Sequence, residues 1–166
     1  VISACFHCFH TISNEYPDFG GNYNVVHHSE FIQQLLDEGK LNPEKSLEGN
    51  VTYHDACYLG RHNDIYEAPR NVLDSVLTEE SNYIELEQSK SSSFCCGAGG
   101  GNMWHEDNSG ELINFTRMEQ IIDSGADKVA TACSFCMIML DDAMKVKGKE
   151  NYMVVQDIAE IIAERL

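Results

Sequence analysis

The segment from Ser91 to Trp104, SSSFCCGAGGGNMW, places two cysteines side by side and follows them with a run of glycines. Adjacent cysteines are poor disulfide partners, because neighbouring Cα atoms lie about 3.8 Å apart and a relaxed disulfide needs roughly 4.4–6.8 Å. Two adjacent thiolates can both reach one polynuclear metal centre if the backbone folds sharply there. Four glycines permit such a fold and let backbone N–H groups approach sulfur: Gly97, Gly99, Gly100 and Gly101.

Seven cysteines are an odd number for a closed disulfide framework, which favours metal binding or redox chemistry. Beyond the adjacent pair, Cys57 stands alone, and two C-x-x-C motifs are formed by Cys5 with Cys8 and by Cys133 with Cys136. A mononuclear zinc site needs four ligands, so five cysteines in one unit favour an iron–sulfur cluster.

Three other interpretations of these motifs stay open. The cysteines could form a structural zinc site, or the Cys133–Cys136 pair could act as a thioredoxin-type redox motif, which leaves the adjacent cysteines unexplained. A phosphate-binding loop fits less well, because the glycine run lacks both the Walker Lys-Ser/Thr and the G-x-G-x-x-G spacing. Buried inert thiols are the remaining alternative.

The hydrophobic pattern predicts strands that alternate with helices, which implies βαβ units and a mainly parallel sheet. Strands are predicted at Asn24–His27, Asn50–Tyr53, Tyr83–Leu86, Lys128–Thr131 and Tyr152–Val155. Helices are predicted around Phe31–Leu36 after a Ser29 cap, Val72–Val76, Ile113–Ile122, Phe135–Met144 and Ile158–Leu166. Stretches without periodicity at Asp55–Asp64 and Ser89–Gly110 are interpreted as functional loops.

The cysteines follow the predicted strands, and loops at the carboxyl ends of parallel strands lie together on one edge of a sheet. Cys57 follows one strand, the adjacent cysteines follow the next, and Cys133 follows a third and opens a helix. We therefore expect five thiols in one pocket. Unpaired backbone N–H groups at the start of that helix would favour anionic thiolates.

The chain also repeats itself. Residues 1–8 (VISACFHC) match residues 129–136 (VATACSFC), and residues 22–26 (NYNVV) match residues 151–155 (NYMVV) at nearly the same offset. We interpret residues 46–166 as a complete unit and residues 1–45 as the C-terminal part of a preceding one. Counterparts of the other three cysteines would then lie before Val1.

Composition narrows the classes of protein. With 27 acidic and 11 basic side chains the net charge is −16, so a nucleic-acid backbone would be repelled and no nucleic-acid partner is expected. A hydrophobic content of 43% predicts a packed core. We find no apolar stretch long enough to span a membrane, so we expect a cytoplasmic location, or one at the cytoplasmic membrane face through regions or partners outside this chain.

A lone cysteine, Cys-Cys-Gly and C-x-x-C at this spacing resemble the cysteine-rich CCG domain. That domain occurs in heterodisulfide reductases and in related iron–sulfur oxidoreductases. The stretches VTYHDACYLGRHNDIYEAPRNVL and CCGAGGGNMWHEDNSGELINFTRMEQ are most similar to the electron-transfer-flavoprotein-linked quinone reductase branch. The resemblance covers the whole chain and implies an α/β fold with a pseudo-two-fold internal repeat.

The resemblance implies a set of ligands for an iron–sulfur cluster of the [4Fe-4S] type, with the noncubane form as one version. Five residues would ligate one cluster: Cys57, Cys95, Cys96, Cys133 and Cys136. Cys5 and Cys8 match the last two ligands of a first site.

Residues that flank the motifs receive smaller roles. His54 and Asp55 precede Cys57, and Arg61 and His62 follow it; they could donate hydrogen bonds to cluster sulfur, shuttle protons, or simply cap loops. Trp104 and His105 could cover the cluster or pack as ordinary side chains. His27 and His28 are expected at a strand end rather than in a metal site.

The hypothesis that follows is an electron-transfer or catalytic module of a flavin-linked oxidoreductase. Its implied partners are the upstream half of the same protein or a separate partner protein, an electron-transfer flavoprotein or flavin dehydrogenase, and a quinone reached through a membrane region outside this chain. The alternatives are heterodisulfide-reductase-like disulfide reduction, and a zinc-stabilised docking module with no redox role.

Overall fold

The computed structural model describes residues 1–79, 81–104 and 112–166. Its main feature is a four-stranded parallel sheet, and a second sheet of two parallel strands lies near the start of the chain. The strands are β1 (Ile2–Ser3), β2 (Val26–His27), β3 (Gly49–His54), β4 (Ser81–Ile84), β5 (Lys128–Thr131) and β6 (Val154–Asp157). The larger sheet has the order β4-β3-β5-β6, so β3 and β5 are its central strands.

Helices connect the strands, as parallel pairing requires. They are α1 (Phe6–His10), α2 (His28–Asp37), α3 (Cys57–Asn63), α4 (Glu67–Asp74), α5 (Ile113–Asp123), α6 (Ser134–Val146) and α7 (Ile158–Ala163). A π-helical turn at Thr11–Glu15 and short 3₁₀ turns at Tyr16–Phe19, Lys90–Ser92 and Gly99–Trp104 complete the described elements. Within the described ranges, no helix is both long and apolar enough to cross a membrane. The predicted α/β class with a parallel sheet is confirmed.

The sheet buries a different core on each face, because successive strand residues point to opposite sides. On one face Val51 and Tyr53 pack with apolar residues of α3, α4 and α7. On the other face Val129 and Val155 pack with α5 and α6. Each fully buried aliphatic side chain contributes about 1.5–3 kcal/mol relative to exposure. The strands are therefore held in place from both sides.

Several sequence predictions need correction. The stretch Asp55–Asp64 is not a loop, because α3 occupies most of it. The helix cap assigned to Ser29 belongs to His27, whose side chain accepts a hydrogen bond from the Ser29 N–H. Ile113 lies on the apolar stripe of its predicted helix but is 43% exposed. The predicted loop at Ser89–Gly110 holds short 3₁₀ turns up to Trp104, and the rest lies outside the described residues.

The predicted repeat is visible in the strand register. In the first sheet Ile2 pairs with Val26 and Ser3 with His27. In the larger sheet the corresponding pairs are Ala130 with Gln156 and Thr131 with Asp157. Val26 therefore takes the place of Gln156, one residue beyond the Val155 that the sequence match assigned to it, so the repeat is present with a shift of one residue in its second strand. The division at residue 45 stays a prediction.

The helices that follow these strands also match. Cys5 is the N-cap of α1 and Cys133 the N-cap of α6. His27 and Asp157 are the N-caps of α2 and α7, and each forms a capping box with a glutamate three residues later. The repeat therefore extends from strand pairing to helix initiation.

One contact joins the two repeats at these caps. His28 Nε2 lies 2.9 Å from Asp157 Oδ1, and the same carboxylate oxygen accepts a hydrogen bond of 2.9 Å from the Ala159 N–H. The Asp157 side chain thus stabilises the start of α7 and links it to the start of α2. Asp157 is an anchor for both helices.

We expect Asp157→Ala to lower the free energy of unfolding by roughly 1–2 kcal/mol, because it removes an N-cap acceptor. Asp157→Asn should retain part of this stability, since its side-chain oxygen still accepts the Ala159 N–H. The exposed Glu164→Ala should change stability by no more than about 0.5 kcal/mol. Chemical denaturation followed by circular dichroism measures all three. Equal stability of Asp157→Ala and Glu164→Ala would contradict the anchoring role.

Candidate metal centre

Five cysteines lie in the segments that follow the carboxyl ends of three neighbouring strands. Cys57 begins α3 directly after β3, and Cys133 caps α6 directly after β5, with Cys136 in the first turn of that helix. Cys95 and Cys96 lie in the loop that follows β4, between two 3₁₀ turns. Because β4, β3 and β5 are adjacent in the sheet, all three loops meet at one edge.

The five thiols form a continuous set of contacts. Cys57 interacts with Cys95, Cys95 with Cys96, Cys96 with Cys136, and Cys136 with Cys133. None of them forms a disulfide. Three are buried, and Cys57 and Cys95 are partly exposed. The structure thus brings together the residues predicted to share one pocket, and their role as ligands stays a prediction.

The thiols perturb one another's ionisation. Hydrogen bonds from the Cys57 and Cys96 thiols lower the pKa of Cys95, and the Gly97 N–H adds to that effect. The interaction with Cys95, followed by burial, raises the pKa of Cys57. Several thiols this close cannot all ionise without compensating positive charge. A metal centre would supply that charge, since thiolates are its usual ligands.

The glycine loop shapes the backbone next to Cys95. The Gly97 N–H lies 3.3 Å from Cys95 Sγ, as expected for a loop that offers N–H groups to sulfur. Gly97 has φ +89°, and a Cβ there would lie 3.2 Å from Ile113 Cβ. Gly100 and Gly101 also have positive φ, whereas Gly99 does not and has open space around it. Neither the backbone conformation nor the surroundings of Gly99 therefore require a glycine at this position.

A buried ion pair fixes the loop that carries the adjacent cysteines. Both Asp55 oxygens accept from Arg70, at 2.8 and 2.9 Å, and Oδ2 also accepts from the Lys90 N–H at 2.8 Å. The Asp55 carbonyl accepts from Ser93 Oγ at 3.2 Å. Asp55 follows β3, and Lys90 and Ser93 belong to the loop after β4. This pairing ties together two of the three strand ends that deliver cysteines.

His54 is buried beside the thiols. One of its ring nitrogens lies within 4.8 Å of the sulfur atoms of both Cys96 and Cys136. Its Nδ1 accepts a hydrogen bond of 3.1 Å from Nε of Arg117. Burial, with the nearby Arg117 charge, lowers the pKa of His54 to about 3. His54 thus lies next to sulfur, as its predicted role requires, and that role stays a prediction.

Sequence analysis missed Arg117. A signal was present, because Asn114, Arg117, Met118 and Ile121 all lie on the buried stripe of α5. A basic residue on an apolar stripe is unusual and needs a partner. The partner is His54, 63 positions away in the sequence, so only the fold reveals it.

The other flanking residues make contacts within the protein, and that of Arg61 fits the loop-capping alternative. Arg61 donates to the Ser93 carbonyl at 3.1 Å, which is loop capping. His62 stacks on Tyr58 with ring centroids 4.1 Å apart. Trp104 is 80% exposed, so it does not pack in the core. His105 lies outside the described residues.

Cys5 and Cys8 form a separate pair on α1. The Cys5 thiol interacts with Cys8, and none of the contacts that link the other five thiols involves either residue. The ring of His7 on α1 lies 5.0 Å from that of Tyr58, the neighbour of Cys57, and 5.6 Å from that of Phe135, the neighbour of Cys136. The structure therefore keeps the two predicted sites distinct.

A cavity of about 420 Å³ opens beside the partly exposed Cys95. It is lined by Cys95, Gly97, Gly99, Gly100, Asn102, Leu112 and Ile113. Because the glycines contribute no side chains, a partner or small molecule could approach the sulfur closely through this cavity. On the side of the glycine loop, this cavity gives access to the thiol of Cys95.

Comparison with known proteins is consistent with this geometry. The model of the cysteine-rich domain family CCG matches residues 51–141, which contain all five clustered cysteines. Among curated proteins, the chain is 41% identical to the EtfAB:quinone oxidoreductase of Syntrophomonas wolfei and 39% identical to a probable iron-sulfur-binding oxidoreductase, FadF, of Bacillus subtilis. These alignments cover 98% and 99% of this chain.

A third relative comes from an archaeal complex. The chain is 32% identical over its whole length to one of the subunits of the dihydromethanophenazine:CoB–CoM heterodisulfide reductase of Methanosarcina barkeri. The chain spans 23% of the length of each of the first two relatives and 40% of this one.

We expect Asp55→Asn to cost more stability than Glu85→Gln, although both carboxylates bind Arg70. The Asp55 side chain is 4% exposed and that of Glu85 is 37% exposed. Breaking a buried ion pair costs about 3–5 kcal/mol, whereas an exposed one is worth about 1 kcal/mol or less. Denaturation of the metal-free protein gives both values. Similar losses for the two variants would contradict the assignment of Asp55 as the main anchor of the cysteine loop.

Proposed function

Because the chain belongs to the cysteine-rich CCG domain family, we propose that it is an iron–sulfur electron-transfer module of an oxidoreductase. The observation that carries this proposal is the continuous set of five free thiols at one sheet edge. The oxidoreductase names of the relatives support it.

The donor set fits a polynuclear cluster better than a single zinc ion. Zinc in a structural site takes four ligands in a tetrahedron, which would leave one of the five thiols without a metal. An iron–sulfur cluster has several irons and can use all of them: Cys57, Cys95, Cys96, Cys133 and Cys136. A [4Fe-4S] cluster, with the noncubane form as one version, is therefore our proposal for the cofactor.

When bound, such a cluster accepts and releases electrons one at a time. The residues of the chain would hold and shield it. The Gly97 N–H would donate to sulfur, and buried Cys96 and Cys136 would keep part of the cluster away from water. The partly exposed Cys95 and its cavity would be the side from which electrons enter or leave.

We further propose that electrons pass from a flavin-linked donor toward quinone. The relative at 41% identity is named as an EtfAB:quinone oxidoreductase, which supports a flavoprotein donor and a quinone acceptor. Since the chain spans 23% of that relative, the donor site and any quinone or membrane contact would belong to other regions or partner proteins.

The repeat supports a proposal on domain organisation. Residues 46–166 would be one complete CCG unit, which contains the matched range 51–141. Residues 1–45 would be the C-terminal part of another, because their strand register and helix caps match those of the second unit. Cys5 and Cys8 would then contribute to a second site completed from elsewhere.

A second candidate activity is reduction of a disulfide at the cluster. The likeness to part of a heterodisulfide reductase over the whole chain favours it. The reaction would consume two electrons and two protons, break one S–S bond and release two thiols. The cavity beside Cys95 is the place where such a substrate could reach the site.

The metal content of protein purified without oxygen tests the cofactor. Iron and acid-labile sulfide with a brown colour would support the cluster. A colourless protein with stoichiometric zinc would overturn it in favour of a docking module with no redox role.

We expect Cys96→Ser to lose the visible absorption and the electron transfer to an acceptor dye, because a serine oxygen is a harder and weaker ligand for iron. The far-ultraviolet circular dichroism should stay close to that of the wild type, since the change removes little apolar area. A Cys96→Ser protein with full absorption and electron transfer would contradict the five-thiol site.

Cys8→Ser is the matched comparison, because it makes the same chemical change at an exposed cysteine outside the set of five. It should keep the absorption that comes from the five-thiol site. Equal loss in both variants would mean that the effect is not specific to this site. A thioredoxin-type site would behave differently, because Cys133 and Cys136 would stay redox-active in Cys96→Ser.

A further inference from the structure

Arg117 is a fully buried cation whose hydrogen-bond acceptors in the described part of the chain are all neutral. Its side chain is 0% exposed in the middle of α5. Nε donates to His54 Nδ1 at 3.1 Å, and Nη1 donates to the Gln88 carbonyl at 3.1 Å and to Gln120 Oε1 at 2.8 Å. Nη2 lies 3.5 Å from Ser93 Oγ. Among the described residues, no carboxylate forms an ion pair with it.

A buried charge without a counter-charge is costly, so this arrangement needs an explanation. Arg70 shows the usual solution in the same protein, because Asp55 and Glu85 neutralise it. Among the described residues, the acidic groups whose charges act on Arg117 are Asp55, which is already paired, and Cys96 and Cys136 in their thiolate form. The positive charge of Arg117 thus lies next to the five-thiol site.

Arg117 also determines which hydrogen His54 can offer. A guanidinium only donates hydrogen bonds, so the His54 Nδ1 that faces it must be an acceptor without hydrogen. The ring therefore carries its hydrogen on Nε2. His54 lies beside Cys96 and Cys136, so this Nε2–H is the group that the ring can present to sulfur.

We infer that Arg117 is a positioning residue for the cluster: it orients His54 as a hydrogen-bond donor to sulfur and raises the reduction potential through its buried charge. This inference rests on the proposed iron–sulfur site. Reduction adds negative charge to a cluster, and a nearby cation and N–H donors stabilise the reduced form. Loss of the Arg117 charge should therefore lower the potential.

The same geometry argues against His54 as a metal ligand. Coordination through Nε2 would require the ring hydrogen to move to Nδ1, where it would face the Arg117 N–H. His54 is thus assigned to the hydrogen-bonding surroundings of the cluster, and the five cysteines remain the proposed ligands.

The test is a redox titration of the anaerobically purified chain, followed by visible absorption and electron paramagnetic resonance. Arg117→Gln should shift the reduction equilibrium at least tenfold toward the oxidised form, which is about 59 mV for one electron. Arg117→Lys should recover most of the shift, because it keeps the charge. Lys145→Gln removes an exposed charge paired with Asp141 and should change the potential little.

The Gln120→Glu variant keeps Arg117 in place. It therefore tests the effect of the charge even if the Arg117 variants fail to fold. It puts a carboxylate where an amide oxygen now lies 2.8 Å from Nη1, which neutralises the guanidinium with an almost unchanged shape. We expect a lower potential here too. Wild-type potentials in both Arg117→Gln and Gln120→Glu would overturn the inference, as would an Arg117→Lys potential as low as that of Arg117→Gln.

The role of His54 is tested by combining variants. If Arg117 acts partly through His54, the shifts of Arg117→Gln and His54→Phe should not add in the double variant. Additive shifts would overturn the orienting role. Iron and sulfide in the wild type separate this question from the proposed function, because unchanged potentials in a loaded protein contradict only the inference. A wild-type protein that binds no cluster would overturn both.

Discussion

The position of β3 between β4 and β5 is the constraint on which the site depends. Parallel pairing in the order β4-β3-β5 forces the three strands to end at the same edge, and each end leads into a segment with cysteine. A change in strand order would separate the thiols by at least one strand spacing of about 4.8 Å. The arrangement of thiols is therefore a property of the whole sheet.

Two buried arginines at this edge of the sheet have different roles. Arg70 is neutralised by Asp55 and Glu85 and also lies over the Tyr53 ring, so it stabilises the fold and holds the cysteine loop. Arg117 has neutral acceptors and keeps its charge available to the thiols. The burial of a charge therefore does not reveal its role. The partners of that charge do.

Much of the fold could be predicted from local pattern. The strand at Lys128–Thr131 is observed with the predicted bounds, because a short β-branched run between polar residues is a clear signal for a strand. The α/β class and the repeat followed from alternation and from matching motifs. The grouping of the cysteines required one further rule, that parallel strand ends meet at one edge.

Features that depend on distant contacts escaped prediction. The seven residues of helix α3 include Gly60, Arg61 and His62, and only Leu59 and Gly60 are buried. Its sequence therefore lacks the apolar periodicity that would predict a helix. The cap lies at His27, two residues before Ser29, because β2 ends at His27 and α2 begins at His28. The importance of Arg117 depends on β3 and α5 meeting across 63 residues of sequence.

Charge distribution connects the site to the rest of the molecule. The chain carries a net charge of −16, and a thiolate cluster would add more negative charge to it. Exposed acidic groups are screened by solvent within about 10 Å, but groups inside the protein are screened far less. A cation placed inside therefore acts on the thiols more strongly than the many acidic groups outside. The chain thus combines a net negative charge with a buried cation, Arg117, that lies beside the thiols at this edge of the sheet.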